Sequence, residues 1–208
     1  MYQKRVLEKF GKNYLVDDET FVMGIRPTHG EHIAQRFNDY GLVLDACCGA
    51  GFMSIALAKQ AKRIIAVDIN LAHLKQAKAN VKIAGVFQKV VFIHGDILDK
   101  NILSKFSKIS GAFLDPDWAA KGNVKTTHTS ELSKMQPPAD KLFWAIHKIN
   151  DNVALRLPAT IEPAKLKDYP PHEFEKVYLD DQLKFCCAYF GDLAKKIGNT
   201  ELRTFLEK

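Results

Sequence analysis

Residues 42 to 51, Leu-Val-Leu-Asp-Ala-Cys-Cys-Gly-Ala-Gly, join an apolar run to an acid and two glycines just ahead of a helical pattern that opens at Phe52. In an α/β sheet this is a nucleotide-cofactor corner. The strand carries Asp45 to the sheet edge, and Gly49 and Gly51 remove side chains where the backbone must approach a ligand. The spacing D-x-x-x-G-x-G lacks the third glycine of G-x-G-x-x-G, whose turn packs around a pyrophosphate. A carboxylate ahead of the turn repels pyrophosphate and attracts an ammonium group, so the ligand expected is S-adenosylmethionine. Asp68 ends the next apolar run, close to the interval of about 20 residues at which an acid accepts hydrogen bonds from ribose hydroxyls. The competing role for Asp68 is a helix cap, shared with Asn70. In His94-Gly95-Asp96-Ile97, Asp96 can accept the adenine amino group while Ile97 packs on the ring, although Gly-Asp also suits an ordinary turn.

Asp115-Pro116-Asp117-Trp118 follows a fourth apolar run, Gly111 to Leu114, at the carboxyl edge where open α/β sheets bind ligands. Methyl transfer from a sulfonium needs little acid or base help, but it needs the acceptor nitrogen held in line at near-attack distance. Asp115 and the Pro116 carbonyl suit the protons of a planar amino group, and Trp118 suits the face of its base. The bland alternative is a turn with a core tryptophan. Lys121, Lys125 and His128 then form a basic loop that fits a phosphate-bearing acceptor or is simply solvated.

The elements that must position these residues alternate. Strand-length runs at 42–45, 63–67, 90–94 and 111–114 and a helix over 70–84 give a parallel sheet with crossover helices. Leu71, Leu74, Ala77, Lys78, Val81 and Ala84 form that helix's inner stripe, with Gly85 ending it. A second helix is expected over 132–149 and a strand over 152–157. The runs 173–179 and 183–190, joined by Asp180-Asp181-Gln182, read as a hairpin. The first 20 residues are charged and weakly patterned.

The 208 residues, 47% of them apolar, suffice for one domain with a single core. The expected organisation is one domain over 1–208, with a lead-in over 1–30 and the core sheet and helices over 40–195. A net charge of +6 favours polyanionic partners. Cys47-Cys48 and Cys186-Cys187 lack C-x-x-C spacing and read as buried reduced thiols. His29 and His32 have no companion ligands, so no metal is expected. With no apolar run long enough for a signal peptide or membrane span, a cytoplasmic protein is expected, with no membrane partner.

Together these motifs resemble the trimethylguanosine synthase family, the RNA cap guanine-N2 methyltransferases. Leu44-Asp-Ala-Cys-Cys-Gly-Ala-Gly51, Ile65-Ala-Val-Asp-Ile69, Gly95-Asp96 and the Asp-Pro-x-Trp turn occur in the family's order. So does Ala188-Tyr-Phe-Gly-Asp-Leu193, and the lead-in from Phe10 to Pro27 is similar as well. The resemblance implies a Rossmann-like, seven-stranded methyltransferase sheet, mostly parallel with a C-terminal antiparallel hairpin. It implies methyl transfer to the exocyclic N2 amine of a guanine in RNA or a nucleotide, with RNA or a guanine nucleotide as partner. Asp45, Cys48, Gly49, Gly51, Phe52, Asp68, Ile69, Asp96 and Ile97 would then hold the cofactor. Asp115, Pro116 and Trp118 would hold the acceptor.

Three departures accompany the match. Asp115-Pro-Asp-Trp-Ala-Ala120 stands where the family has Ser-Pro-Pro-Trp and two glycines, and Arg26-Pro27 stands for Thr-Pro. Nine residues precede Phe10, whereas the eukaryotic enzymes carry a helical extension that helps enclose the cap. Other acceptors, a small-molecule or protein amine, and a non-catalytic binding module of the same fold are the competing readings.

Overall fold

A computed structural model describes residues 2–119 and 129–206, so the basic loop of Lys121, Lys125 and His128 lies outside the described residues. The chain forms two compact units that divide between Ser110 and Gly111.

In the first unit, β1 (Leu42–Ala46), β2 (Arg63–Asp68) and β3 (Val90–His94) pair in parallel in the order β3-β2-β1. The register sets Asp45 opposite Ala66 and Asp68 opposite His94, at the carboxyl ends of their strands. Parallel neighbours require crossover connections, and α4 (Phe52–Gln60) and α5 (Leu71–Ile83) supply them. Every residue from Phe52 to Ala58 is buried, so α4 is a core helix. On α5 the expected stripe holds at Leu74, Ala77 and Val81, but Leu71 is exposed and the buried face also takes in His73 and Asn80. Gly85 follows at φ +78, as its placement after the helix requires. The short α6 (Lys100–Leu103) comes after β3.

The lead-in, whose first 20 residues are charged and weakly patterned, is helical: α1 (Tyr2–Phe10), α2 (Asp18–Met23) and α3 (Pro27–Ala34). Val6 and Phe10, four apart, are buried on α1. Asp17 and Thr20 form a reciprocal capping box that starts α2, and Arg26-Pro27 starts α3 with proline at its first position. His29 is buried within α3.

In the second unit, β4 (Gly111–Leu114) is parallel to β5 (Val153–Pro158), which pairs antiparallel with β7 (Gln182–Phe190). β6 (His172–Leu179) completes the hairpin with β7, and β8 (Gly198–Thr204) runs parallel to β6. Eight strands among the described residues replace the seven that the resemblance implies, within the same mostly parallel α/β design. Asp180 and Asp181, at φ +49 and +60, make the two-residue turn, and Gln182 belongs to the strand. The expected helix over 132–149 contracts to α7 (Ala139–His147), because Pro137 and Pro138 lack the amide donors that helix continuation needs. Among the described residues no helix is long and apolar enough to cross a membrane.

Candidate functional site

The glycine corner of the first unit is held from inside and open outward. Asp45 is fully buried, and its Oδ2 accepts a hydrogen bond from Ser54 Oγ in the first turn of α4. No Asp45 surface is exposed where the expected contact with an ammonium group would form. Asp45 instead ties β1 to α4. Cys47 takes the left-handed conformation at φ +63, Cys48 N donates to Val67 O at 2.9 Å, and Gly51 N donates to Cys48 O at 2.8 Å. Burial pushes the Cys48 thiol well above its ordinary range, so it is neutral and packs as an apolar group.

The two glycines serve different ends. At Gly51, φ is +82 and a Cβ would lie 3.0 Å from Ala77 Cβ and 3.1 Å from Ala77 Cα, so close packing against α5 forbids a side chain. At Gly49, φ is +52 and a Cβ would meet nothing within 4 Å beyond its chain neighbours. That side of the turn is a cradle a ligand can enter, and the residues present fit S-adenosylmethionine there.

Asp68 lies beside the cradle. Its Oδ2 accepts from Gly49 N and its Oδ1 from Asn70 N, each at 2.8 Å. A carboxylate has about four lone-pair sites, so a ribose diol can still be accommodated. The capping role that competed for Asp68 falls to Asn70, whose Oδ1 accepts from Ala72 N at 2.9 Å. Asp96 is exposed, with Oδ1 accepting from Leu98 N at 2.9 Å, and this leaves its other oxygen for an amino group.

Two of the expected apolar contacts change. Ile97 is buried at 4% exposure, so the aliphatic side chain that faces outward next to Asp68 is Ile69, at 68%. Phe52 stacks on Phe10 at 3.9 Å between ring centroids and meets the edge of Tyr14 at 5.5 Å. Its ring thus packs against the lead-in.

The second unit holds the Asp-Pro-Asp-Trp turn, and a residue that sequence reasoning missed organises it. Arg156, on β5, donates from Nη1 to Asp115 Oδ2 at 2.7 Å. Its guanidinium carbon lies 4.6 Å from the ring centroid of Trp118 and 4.6 Å from that of Phe185. One cation therefore neutralises Asp115 and fixes the plane of Trp118. Burial pushes the Asp115 carboxyl above its ordinary range, and Arg156 opposes that rise. Pro116 is buried. The only hint of Arg156 in the sequence was a charge inside an apolar strand, Val153-Ala-Leu-Arg-Leu-Pro158.

Asp117 braces the same turn. Its backbone exchanges hydrogen bonds with Gln136 at 2.8 and 3.0 Å, and its Oδ1 accepts from Ala119 N at 3.0 Å. Trp118 O accepts from Thr129 N at 2.9 Å. Among the described residues no cluster of His, Cys, Asp or Glu is arranged to hold a metal ion.

Comparison with known proteins places both motifs in one family. The RNA cap guanine-N2 methyltransferase family matches residues 40–193. The chain belongs to that family. It is 30% identical over 91 residues to a tRNA (guanine(37)-N(1))-methyltransferase of Caenorhabditis elegans, covering 42% of this chain and 19% of that one. It is 34% identical over 98 residues to the 23S rRNA (uracil(1939)-C(5))-methyltransferase RlmD of Shewanella halifaxensis, covering 47% and 21%. The chain thus spans about a fifth of the length of these curated relatives. Its fold is similar to the crystal structure of a Porphyromonas gingivalis W83 protein assigned as a methyltransferase, with a TM-score of 0.78 at 16% identity over 99% of this chain and 53% of that one.

A cap guanine-N2 methyltransferase draws its methyl group from S-adenosylmethionine, which suits the cradle at Gly49. Membership also explains two departures in physical terms. Where the family has a proline ring, Asp117 restrains the turn by hydrogen bonds to Ala119 and Gln136. Where it has serine, Asp115 brings a charge that Arg156 balances. The C-terminal Ala188-Tyr-Phe-Gly-Asp-Leu193 is structural in this unit: Tyr189 OH donates to Glu175 Oε2 at 2.7 Å, and Asp192 N donates to Asn152 Oδ1 at 2.8 Å. Gly191, at φ +60, lies so close to Asn152 that a Cβ would meet Asn152 Oδ1 and come within 2.8 Å of Asp151 O.

Proposed function

We propose that this protein is an S-adenosylmethionine-dependent methyltransferase acting on the exocyclic N2 amine of a guanine in RNA. The observation that carries the reading is the Asp115–Arg156–Trp118 arrangement within a chain that belongs to the cap guanine-N2 family. Trp118 offers a flat surface whose orientation Arg156 fixes, and a purine can stack against it. With Oδ2 engaged by Arg156, Asp115 accepts the amine proton at Oδ1, and the Pro116 carbonyl accepts the second. Two acceptors that fix a planar amino group aim the nitrogen lone pair, which is the entropic problem this reaction poses.

When bound, S-adenosylmethionine supplies an electrophilic methyl on sulfur. On transfer of that methyl group to the amine nitrogen, Asp115 would take up the proton the nitrogen gives up. Asp68 would hold the ribose, Asp96 the adenine amino group, Ile69 the adenine face, and the Gly49 turn the amino-acid tail. The net charge of +6 supports a polyanionic acceptor. The cytoplasm, where thiols stay reduced, suits four cysteines that form no disulfide.

The test is transfer of tritiated methyl from S-adenosylmethionine into fractionated host RNA. Label in RNA, lost in Trp118→Ala, supports the reading. Label confined to small molecules or protein contradicts the RNA acceptor.

A further inference from the structure

On α5 the side chains of His73, Gln76 and Asn80 fall three and four residues apart, on one helical face. All three reach residues 15–20 of the lead-in. Asn80 accepts from Leu15 N at 2.7 Å and donates to Leu15 O at 2.9 Å. Gln76 donates to Asp17 Oδ2 at 2.8 Å and accepts from Thr20 Oγ1 at 2.7 Å. His73 Nε2 lies 3.8 Å from Glu19 Oε2. The outer two also reach the cofactor corner. Asn80 Nδ2 donates to Ala50 O at 2.9 Å, within the glycine turn, and His73 Nδ1 lies 3.7 Å from Asp68 Oδ1.

We infer that Gln76 is a positioning residue for cofactor binding, acting through the lead-in. Its two contacts are to Asp17 and Thr20, the pair that caps α2. The same lead-in segment meets Asn80 and His73, which fix the Ala50 carbonyl and face the Asp68 carboxylate. Docking of residues 15–20 and the geometry of the cofactor corner are therefore two ends of one polar ladder. Anything that orders one end lowers the cost of ordering the other, and the coupling is reciprocal. The inference rests on the cofactor assignment.

The experiment pairs hydrogen exchange over residues 14–22, with and without S-adenosylhomocysteine, with calorimetric affinity for the same ligand. In wild type the ligand is expected to slow exchange across this segment. Gln76→Ala is expected to weaken binding by about fivefold or more, and Gln76→Ala/Asp17→Ala to weaken it by less than the sum of the single effects, since both act through the shared Gln76–Asp17 contact at the start of α2. A purely structural Gln76 would lower the melting temperature and leave affinity untouched, which would overturn the inference. Slowed exchange without loss of affinity in Gln76→Ala would indicate direct ligand contact with the lead-in and would equally overturn it. Failure of wild type to bind would overturn the cofactor assignment and the coupling together. Binding with unchanged exchange would overturn the coupling alone.

Discussion

Arg156 covers one face of Trp118, with 4.6 Å between guanidinium carbon and ring centroid, and the same side chain grips Asp115 at 2.7 Å. A buried arginine with those two partners braces the Asp115–Trp118 turn with no ligand bound. A planar guanidinium can stack and hydrogen-bond at once, which an ammonium group cannot. Arg156→Met is expected to lower kcat/KM by roughly 10 to 100-fold, about 1.4 to 2.7 kcal/mol of transition-state stabilisation. Arg156→Lys should recover only part, because it restores charge without the plane. Trp118 emission in a Trp144→Phe background, which leaves one tryptophan, should shift in Arg156→Met if the stack exists in solution.

The two corner glycines separate binding from folding. Gly51→Ala places a methyl group against Ala77 at φ +82 and should cost about 2 to 4 kcal/mol, from left-handed strain and overpacking together. Gly49→Ala meets nothing beyond its chain neighbours and should cost only about 1 to 2 kcal/mol from its φ of +52. Its methyl group enters the ligand cradle, however, so affinity for S-adenosylhomocysteine should fall by at least about tenfold, about 1.4 kcal/mol. Urea unfolding and calorimetry on the two variants should give opposite rankings.

His73 confers a pH-dependent stability. The Asp68 carboxylate, 3.7 Å from Nδ1, is the largest influence and raises its pKa; burial opposes that rise, while the charges of Glu19 and Asp17 add to it. The folded state thus binds the proton more tightly than the unfolded chain. The resulting stabilisation is full below the ordinary imidazole value of about 6.5 and is lost as pH rises through the raised folded value. Denaturation midpoints of wild type should fall across that window, and His73→Gln should flatten the profile.

The C-terminal motif should behave as scaffold. Gly191→Ala collides with Asp151 O and Asn152 at φ +60 and is expected to cost at least about 2 kcal/mol. For a chain of this size that is a fall of roughly 4 °C or more in Tm. Affinity for S-adenosylhomocysteine of the protein that remains folded should be unchanged.

The sequence revealed what depends on local pattern and left obscure what depends on tertiary partners. The strand ends at Asp45 and Asp68 and the turns at Gly49 and Asp181 were visible because apolar runs, glycines and short polar connections mark them directly. β8 was not, because Gly198–Thr204 buries no residue and shows no apolar alternation. The lead-in helices were hidden by their charge, since α1 buries only Val6 and Phe10. At the cofactor corner, Asp45 was read by type alone, and only its burial against Ser54 showed that it faces inward. Ile69 and Ile97 were both expected to face the cofactor, and only Ile97 turns inward: both are apolar, and nothing in their spacing says which one meets the core. Arg156 was beyond the reach of motif reading, because its role depends on three residues distant in sequence.

In the proposed function, the Arg156-braced turn presents a guanine amine for methylation. The most direct test is mass spectrometry of nucleosides from host RNA incubated with the protein and deuterated-methyl S-adenosylmethionine, in parallel with Trp118→Ala and Arg156→Met. Deuterium is expected in N2-methylguanosine, diminished in both variants. Deuterium in any other nucleoside, or N2-methylguanosine formed equally well by both variants, would contradict the proposed function.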